Sequence, residues 1–277
     1  MIKQKNILIA GIPRSGTTLI TATLHDLPNC VALGEPEQLK RLHKASTSPG
    51  DYAQRLQDFM RATRRQILAG EPIPINFDKG ALRVASNYFK RIATGNSYHT
   101  EKTYELHEAV VSVENEAFTL CLKNNAQFVS CLESLVNLRD VIVAVVVREP
   151  VACLLSWRSL DMPISKGKLP AGERFSRELR KIAKIEDALL AQARILDWFC
   201  AAFYRLRERL HLIRYEDFVA RPEILRELSP VPAGHAFPVY ESMNRRAEYN
   251  FEEEDKVREY LRRYTDFVRY FYPLETS

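Results

Sequence analysis

The chain has no cysteine pairing to exploit. Its five cysteines, Cys30, Cys121, Cys131, Cys153 and Cys200, are scattered, odd in number and contain no CxxC pair. That argues against a disulfide framework and a thiolate metal site, and for buried reduced thiols in a reducing compartment. The six histidines show no HExxH or comparable ligand spacing, so no structural or catalytic metal is expected. No apolar run approaches the length needed to span a bilayer. The N-terminal stretch MIKQKNILIAGIP has a basic start, but its apolar run is short and no small-residue cleavage site follows. We read it as a core strand and expect a cytoplasmic protein. Internal repeats and low-complexity segments are also missing. The net charge of +5 is spread along the chain, which suits an anionic ligand and is too weak to argue for nucleic acid.

What is present is an ordinary globular composition, 46% hydrophobic and 27% charged over 277 residues, enough for one domain over 1–277 with a sizeable core. Strands are expected at Ile7–Ala10, Cys30–Leu33, Phe118–Lys123, Val141–Val147 and Leu210–Arg214. The run VIVAVVV at Val141 to Val147 has no polar alternation, as in a parallel strand covered on both faces. Helical spacing predicts helices over Thr17–Asp26, Gln127–Asn137, Glu173–Arg209 and Glu252–Tyr270. The acidic run Glu252–Asp255 then complements the dipole of the last helix. Turn-rich stretches fall at Ser46–Gly50, Gly70–Gly80, Pro163–Gly172 and Ser229–Pro238. Strands alternating with helices imply an α/β fold with a mainly parallel central sheet flanked by helices.

The segment Ile7 to Thr18, ILIAGIPRSGTT, carries the chemistry. An apolar strand ends in Gly11, a tight loop follows, and a Thr pair opens a helix, which is the geometry that cradles a phosphate-like group. The spacing Gly11-x4-Gly16 is that of a nucleotide-binding P-loop, yet Thr17 stands where the lysine belongs and a cation comes earlier, at Arg14. The buried strand Val141–Val147 ends in Arg148-Glu149-Pro150, where a P-loop NTPase needs a Mg²⁺-binding Asp. Mg-ATP chemistry thus loses both supports. Two anion sites remain: the glycine loop with Arg14, and Arg148 with Ser156, eight residues apart at the start of a helix.

ILIAGIPRSGTTL resembles the 5′-phosphosulfate loop of sulfotransferases that use PAPS (3′-phosphoadenosine 5′-phosphosulfate), and VVVREPVACLLSW resembles their 3′-phosphate motif. IRYEDF, Ile213 to Phe218, is similar to the family's Tyr-Glu-Asp segment, and the three matches stand in family order. The resemblance implies a P-loop NTPase-like three-layer fold and a PAPS co-substrate with PAP as product. It also implies that Arg14, Ser15, Gly16, Thr17 and Thr18 hold the 5′-phosphosulfate, that Arg148 and Ser156 hold the 3′-phosphate, and that Tyr215 lies near the adenine. Helix capping by Thr17 and Thr18, and a core role for Tyr215, are the plainer alternatives.

Sulfuryl transfer requires a base near the acceptor oxygen and cations near the leaving oxygen. ALGEPEQL, Ala32 to Leu39, is similar to the carbohydrate and tyrosyl branches, in which a Glu soon after the loop helix is the base. This implies Glu35 as catalytic base, with Glu37 as fallback. Lys123, after the strand FTLCLK, matches a family lysine near the transferred group, without the proline that often follows. Lys102 and His107 in HTEKTYELHE are an alternative cation and base, though a hairpin or surface strand is the simpler reading. The basic glycine loop of the aryl branch is missing, and Arg245 and Arg246 are candidates to replace it. A small-molecule or glycan acceptor follows, with a saccharide or glycolipid favoured. A P-loop kinase and a non-catalytic nucleotide-binding protein are the competing readings.

Overall fold

The computed structural model describes residues 5–94 and 97–274. The basic start, residues 1–4, and residues 95 and 96 lie outside the described residues. In chain order the elements begin with β1 (Lys5–Gly11), α1 (Thr17–His25), β2 (Cys30–Gly34), α2 (Glu37–Ala45), α3 (Pro49–Leu68) and β3 (Ile73–Asp78). Next come β4 (Phe89–Thr94), β5 (Ser97–Lys102), β6 (Tyr104–Ala109), β7 (Thr119–Lys123), α4 (Ala126–Ser130), α5 (Leu132–Leu135) and β8 (Val141–Val147). The chain continues through α6 (Pro150–Arg158), α7 (Pro170–Glu173), α8 (Arg177–Ile182), α9 (Ala188–Arg205), β9 (His211–Arg214), α10 (Tyr215–Ala220) and α11 (Glu254–Tyr264).

Five strands form one sheet in the order β2-β7-β1-β8-β9. Every pairing is parallel, with Ile7 opposite Cys121 on one side and Ile142 on the other. Alternation along each strand divides the core between the two faces. Leu8, Ala10, Val143, Val145 and Val147 pack with Leu56 and Met60 of α3, Leu154 of α6 and Phe199 of α9. Ile7, Ile9, Ala144 and Val146 face the other way, onto Ile20 and Leu24 of α1 and Phe218 of α10. Helices on both faces of a parallel sheet make the expected three-layer α/β fold of P-loop type. β1 lies between β7 and β8, so the carboxyl ends of these strands open the crevice where such sheets bind ligands. Two antiparallel pairs, β3 with β6 and β4 with β5, form separate two-stranded sheets.

Some expected elements are shorter or divided. The helix predicted over Glu173–Arg209 is three pieces. Ser176 caps α8 by accepting from the Leu179 N–H, and Asp187 caps α9 by accepting from Leu189 and Leu190, so local side-chain acceptors win over continuous periodicity. The helix predicted over Gln127–Asn137 breaks at Cys131, whose φ of −118° is not helical. The last helix stops at Tyr264 because the Asp197 carboxylate accepts the backbone N–H groups of Asp266, Phe267 and Val268. The turn expected at Ser46–Gly50 holds at Ser46–Ser48 and then opens α3, with Ser48 accepting from the Asp51 N–H and Pro49 in the first turn. The stretch Gly70–Gly80 contains β3, which β6 supports across its length.

Candidate active site

The loop after β1 is held from below by its neighbours. The Ile12 N–H donates to the Val146 carbonyl at 3.1 Å, the Ser15 N–H to the Ile12 carbonyl at 3.0 Å, and the Trp157 indole N–H of α6 to the Pro13 carbonyl at 2.7 Å. Gly11 is required by space: a Cβ there would lie 2.6 Å from Thr17 Cγ2 and 2.8 Å from the Val146 oxygen. Arg14 and Gly16 adopt left-handed backbone, with φ of 68° and 90°, which makes the loop turn back to start α1. Gly16 precedes α1 and no side chain caps that helix, so its first N–H groups are left for an anion. The Ser15 hydroxyl is fully buried beneath the loop with no partner.

Three arginines meet above this loop. Arg14 donates from Nε to Ser156 Oγ at 3.4 Å and from Nη1 to Asn87 Oδ1 at 3.0 Å. Burial first, then the neighbouring charges of Arg148 and Arg246, lower its guanidinium to about 10, against an opposing pull from Tyr249. A cation held unfavourably by other cations is suited to a polyanionic ligand. Arg148 is 5% exposed and donates to the Arg14 carbonyl at 2.7 Å, to Asn244 Oδ1 at 2.8 Å and to the Met243 carbonyl. Its guanidinium also lies 4.7 Å from the centre of the Tyr215 ring. That ring fills the space a Cβ at Gly16 would need, 2.6 Å away, and the Tyr215 hydroxyl accepts the Met243 N–H at 3.0 Å. The loop and the Arg148 motif, separate in sequence, are thus joined through Arg14, Ser156 and Tyr215.

A second centre stands at the carboxyl ends of β2 and β7. Lys123, 2% exposed, donates to the Glu35 carboxylate and, at 3.2 Å, to Thr18 Oγ1 of α1. Glu35 keeps its side chain 40% exposed. Its backbone is left-handed, with φ of 49°, and its N–H donates to the Lys123 carbonyl at 2.8 Å. The preceding Gly34 carbonyl accepts from both Tyr88 Oη and Asn76 Nδ2, each at 2.8 Å. Lys123 of β7, Asn76 of β3 and Tyr88 therefore hold the Gly34–Glu35 turn in a conformation a glutamate does not choose by itself.

One cavity of about 650 Å³ contains both centres. Arg14, Gly16, Thr17, Thr18, Glu35, Lys123, Arg148 and Tyr215 line it, while Ser15 and Ser156 stand behind the wall. Glu37 and Arg246 also line it. Arg245 does not; it sits 5.0 Å from the Phe251 ring and 3.8 Å from the Glu254 carboxylate. Lys102 and His107 are outside the lining too. They belong to different small sheets: His107 is exposed on β6 beside Glu105 at 3.4 Å, and Lys102 ends β5 with its ammonium 4.0 Å from the Tyr104 ring. Among the described residues, no group of three or more His, Cys, Asp or Glu is placed to hold a metal ion.

Sequence reasoning missed Asn87, Asn76, Tyr88 and, around the Arg245-Arg246 pair it did single out, Met243, Asn244 and Tyr249. It also missed the role of Glu216, whose carboxylate accepts from the Glu149 N–H, Asn244 Nδ2 and the Tyr272 hydroxyl. Glu216 thereby ties the end of β8 to a segment far along the chain. Only its place in IRYEDF singled it out, because the other residues occur in stretches without regular periodicity.

A family model described as "Sulfotransferase family" matches residues 6–227. No curated protein matches the chain by sequence. Among solved structures, the chain is similar to sulfotransferase STF1 from Mycobacterium tuberculosis, at 15% identity and a TM-score of 0.40, over 94% of this chain and 76% of that one.

Proposed function

This chain belongs to the sulfotransferase family, and we propose that it moves a sulfuryl group from PAPS to a hydroxyl of a carbohydrate or glycolipid acceptor, as one domain over 1–277. The observation that carries this reading is the Glu35–Lys123 pair at the edge of the uncapped start of α1, in one cavity with Arg14, Arg148 and Arg246. The donor's fit rests on the cradle at Gly11, the unpartnered Ser15 hydroxyl and the mutually repelling arginines. The loop residues Arg14 to Thr18 would hold the 5′-phosphosulfate end, and Arg148, Ser156 and Tyr215 the nucleotide end, with Arg246 as an additional cation. When bound, the co-substrate supplies an activated sulfuryl group.

The chain's own residues do the rest. Glu35 accepts the proton of the acceptor hydroxyl as that oxygen forms its bond to sulfur, and positioned bases of this kind contribute ~10²–10⁴-fold. Lys123 and Arg14, with the N–H groups that open α1, stabilise the negative charge that develops on the leaving oxygen as its bond to sulfur breaks. Lys123 also orients Glu35, so one ammonium both holds the base and faces the reacting group. The Arg148 terminus of β8 suits an anion, and the Glu149 carboxylate that follows it is taken up by the Val151 and Ala152 N–H groups that open α6, which disfavours a Mg²⁺-dependent kinase. A cytoplasmic site of action goes with this reading; no helix among the described residues is long and apolar enough to cross a membrane.

Two measurements test it. PAP at saturation should stabilise the protein by ~2–4 kcal/mol in thermal denaturation, while Mg-ATP should not; the reverse result sinks the reading. Glu35→Gln should keep PAP binding and reduce sulfate transfer from PAPS by ~10²–10⁴-fold, and transfer at the wild-type rate removes Glu35 as the base.

A further inference from the structure

Resting on the sulfotransfer reading, we propose that the acceptor is an amphiphile: its hydroxyl lies at the Glu35–Lys123 pair, and an alkyl or aryl body follows along an apolar wall. The wall begins at the reacting centre. The Tyr88 ring lies 5.0 Å from Lys123 Nζ, and the Tyr104 ring stands 4.5 Å from Tyr88. Phe89 continues this side of the cavity, and Met162, Ile164 and Leu169 from the connection between α6 and α7 line it as well. Phe89, Tyr104 and Met162 are only half-buried, so they keep apolar surface available in the cavity.

The two segments belong to one structure. The Asp161 N–H, beside Met162, donates to Thr100 Oγ1 of β5 at 2.8 Å, and the Thr103 hydroxyl donates to the Asn87 carbonyl at 2.7 Å. Tyr88 and Phe89 adjoin in sequence, and the pairing of β4 with β5, with the Thr103 N–H on the Tyr88 carbonyl at 3.0 Å, brings Tyr104 to them. A site for a free sugar needs side-chain donors and acceptors along its walls, because each buried hydroxyl must be satisfied. Such side chains stand near the pair and suit a polar head: Asn124, Asn125 and Gln127 line the cavity, with Asn125 Oδ1 unpartnered and Asn124 Nδ2 donating to Gln127 Oε1 at 3.0 Å. The apolar wall beyond them can bury methylenes or a ring.

The test is binding of methyl, butyl and hexyl β-glucosides, below their self-association concentrations, by calorimetry to the protein with and without PAP. Each buried methylene should tighten binding by up to about fourfold, so we expect hexyl glucoside to bind at least tenfold more tightly than methyl glucoside. Met162→Asn and Phe89→Ser, checked for unchanged Tm and PAP affinity, should lose most of that length dependence. A flat series overturns the proposal, and so does a length dependence that both variants leave intact, since the chain then binds elsewhere. Failure of PAP to bind refutes the donor reading alone, while a flat series refutes the acceptor class alone.

Discussion

Replacing Gly34 by Ala tests how the fold holds Glu35. The φ of Gly34 is not in the left-handed region, so an alanine there meets no backbone strain, only a lack of space. Its Cβ would stand 2.0 Å from the Tyr88 hydroxyl and 3.2 Å from Tyr88 Cζ. Tyr88 is 5% exposed, packed at a tilt against Tyr104 and bonded to the Gly34 carbonyl, so it must be pushed out of a packed place. Overpacking costs about 1–3 kcal/mol and the lost hydrogen bond about 1 kcal/mol more. Spread over the unfolding entropy of a chain this long, the two together predict a fall in Tm of roughly 3–7 °C. Tyr88→Phe alone should cost only about 1 kcal/mol, because Asn76 still donates to the Gly34 carbonyl. In the Tyr88→Phe background the clash at 2.0 Å is gone, so Gly34→Ala should cost less than in the wild type, with a coupling of about 1–3 kcal/mol. Calorimetric or urea denaturation of the four proteins measures this cycle. Sulfate transfer measured in parallel should drop steeply in Gly34→Ala, since a displacement of about 1 Å at a reacting group costs ~10²-fold. Costs that add within about 0.5 kcal/mol would refute the contact. A falling Tm with intact turnover would show that Gly34 and Tyr88 do not hold Glu35 in place.

Lys123→Met keeps the length of the side chain and removes its charge; we expect a stability change within about 2 kcal/mol, since apolar replacements of buried charges are often tolerated, and a loss of ~10²–10³ in kcat with PAP affinity retained. Arg246→Ala should weaken PAP binding about tenfold or more, the worth of one charge-assisted bond, whereas Arg245→Ala, outside the cavity lining, should leave titration calorimetry unchanged. His43, 4% exposed between the Tyr52 and Phe175 rings, is lowered from 6.5 to about 4, first by burial and then by the Arg174 charge. Because the folded state resists protonation, stability should fall as pH drops below 6.5 and level off only below about 4. His43→Leu should flatten that decline between pH 7 and 5 in urea titrations, leaving a remainder to His25, which burial also lowers. A wild-type midpoint that does not fall over that range would refute the burial argument.

Much of the architecture was legible because local signals and the tertiary fold agreed. VIVAVVV could only be a strand covered on both faces, and it is β8, beside β1 at the centre of the sheet. The loop Gly11–Gly16 was legible from its spacing, and the structure supplies the reason for both glycines: Val146 and Tyr215 leave no room for a Cβ. Where signals competed, periodicity lost to capping. Asp187 and Ser176 break one apolar pattern into separate helices, and the turn chemistry of Ser48-Pro49 begins a helix instead of a loop. The strands β3 to β6 were legible only in part, because short antiparallel strands outside the main sheet depend on partners for their stability.

The sequence by itself determined the order of β1, the loop and α1, and with it the expectation of an anion in this crevice. Those are properties of contiguous residues: a glycine's freedom, a helix start, a missing lysine, an arginine at a strand end. Only the tertiary structure decided which residues share the cavity. It brought Lys123 from β7 to Glu35 after β2, placed Tyr88 and Asn76 against Gly34, selected Arg246 over Arg245, and left Lys102 and His107 outside. Such choices depend on strand order and on the packing of irregular segments, where contacts between residues remote in the chain override any local preference.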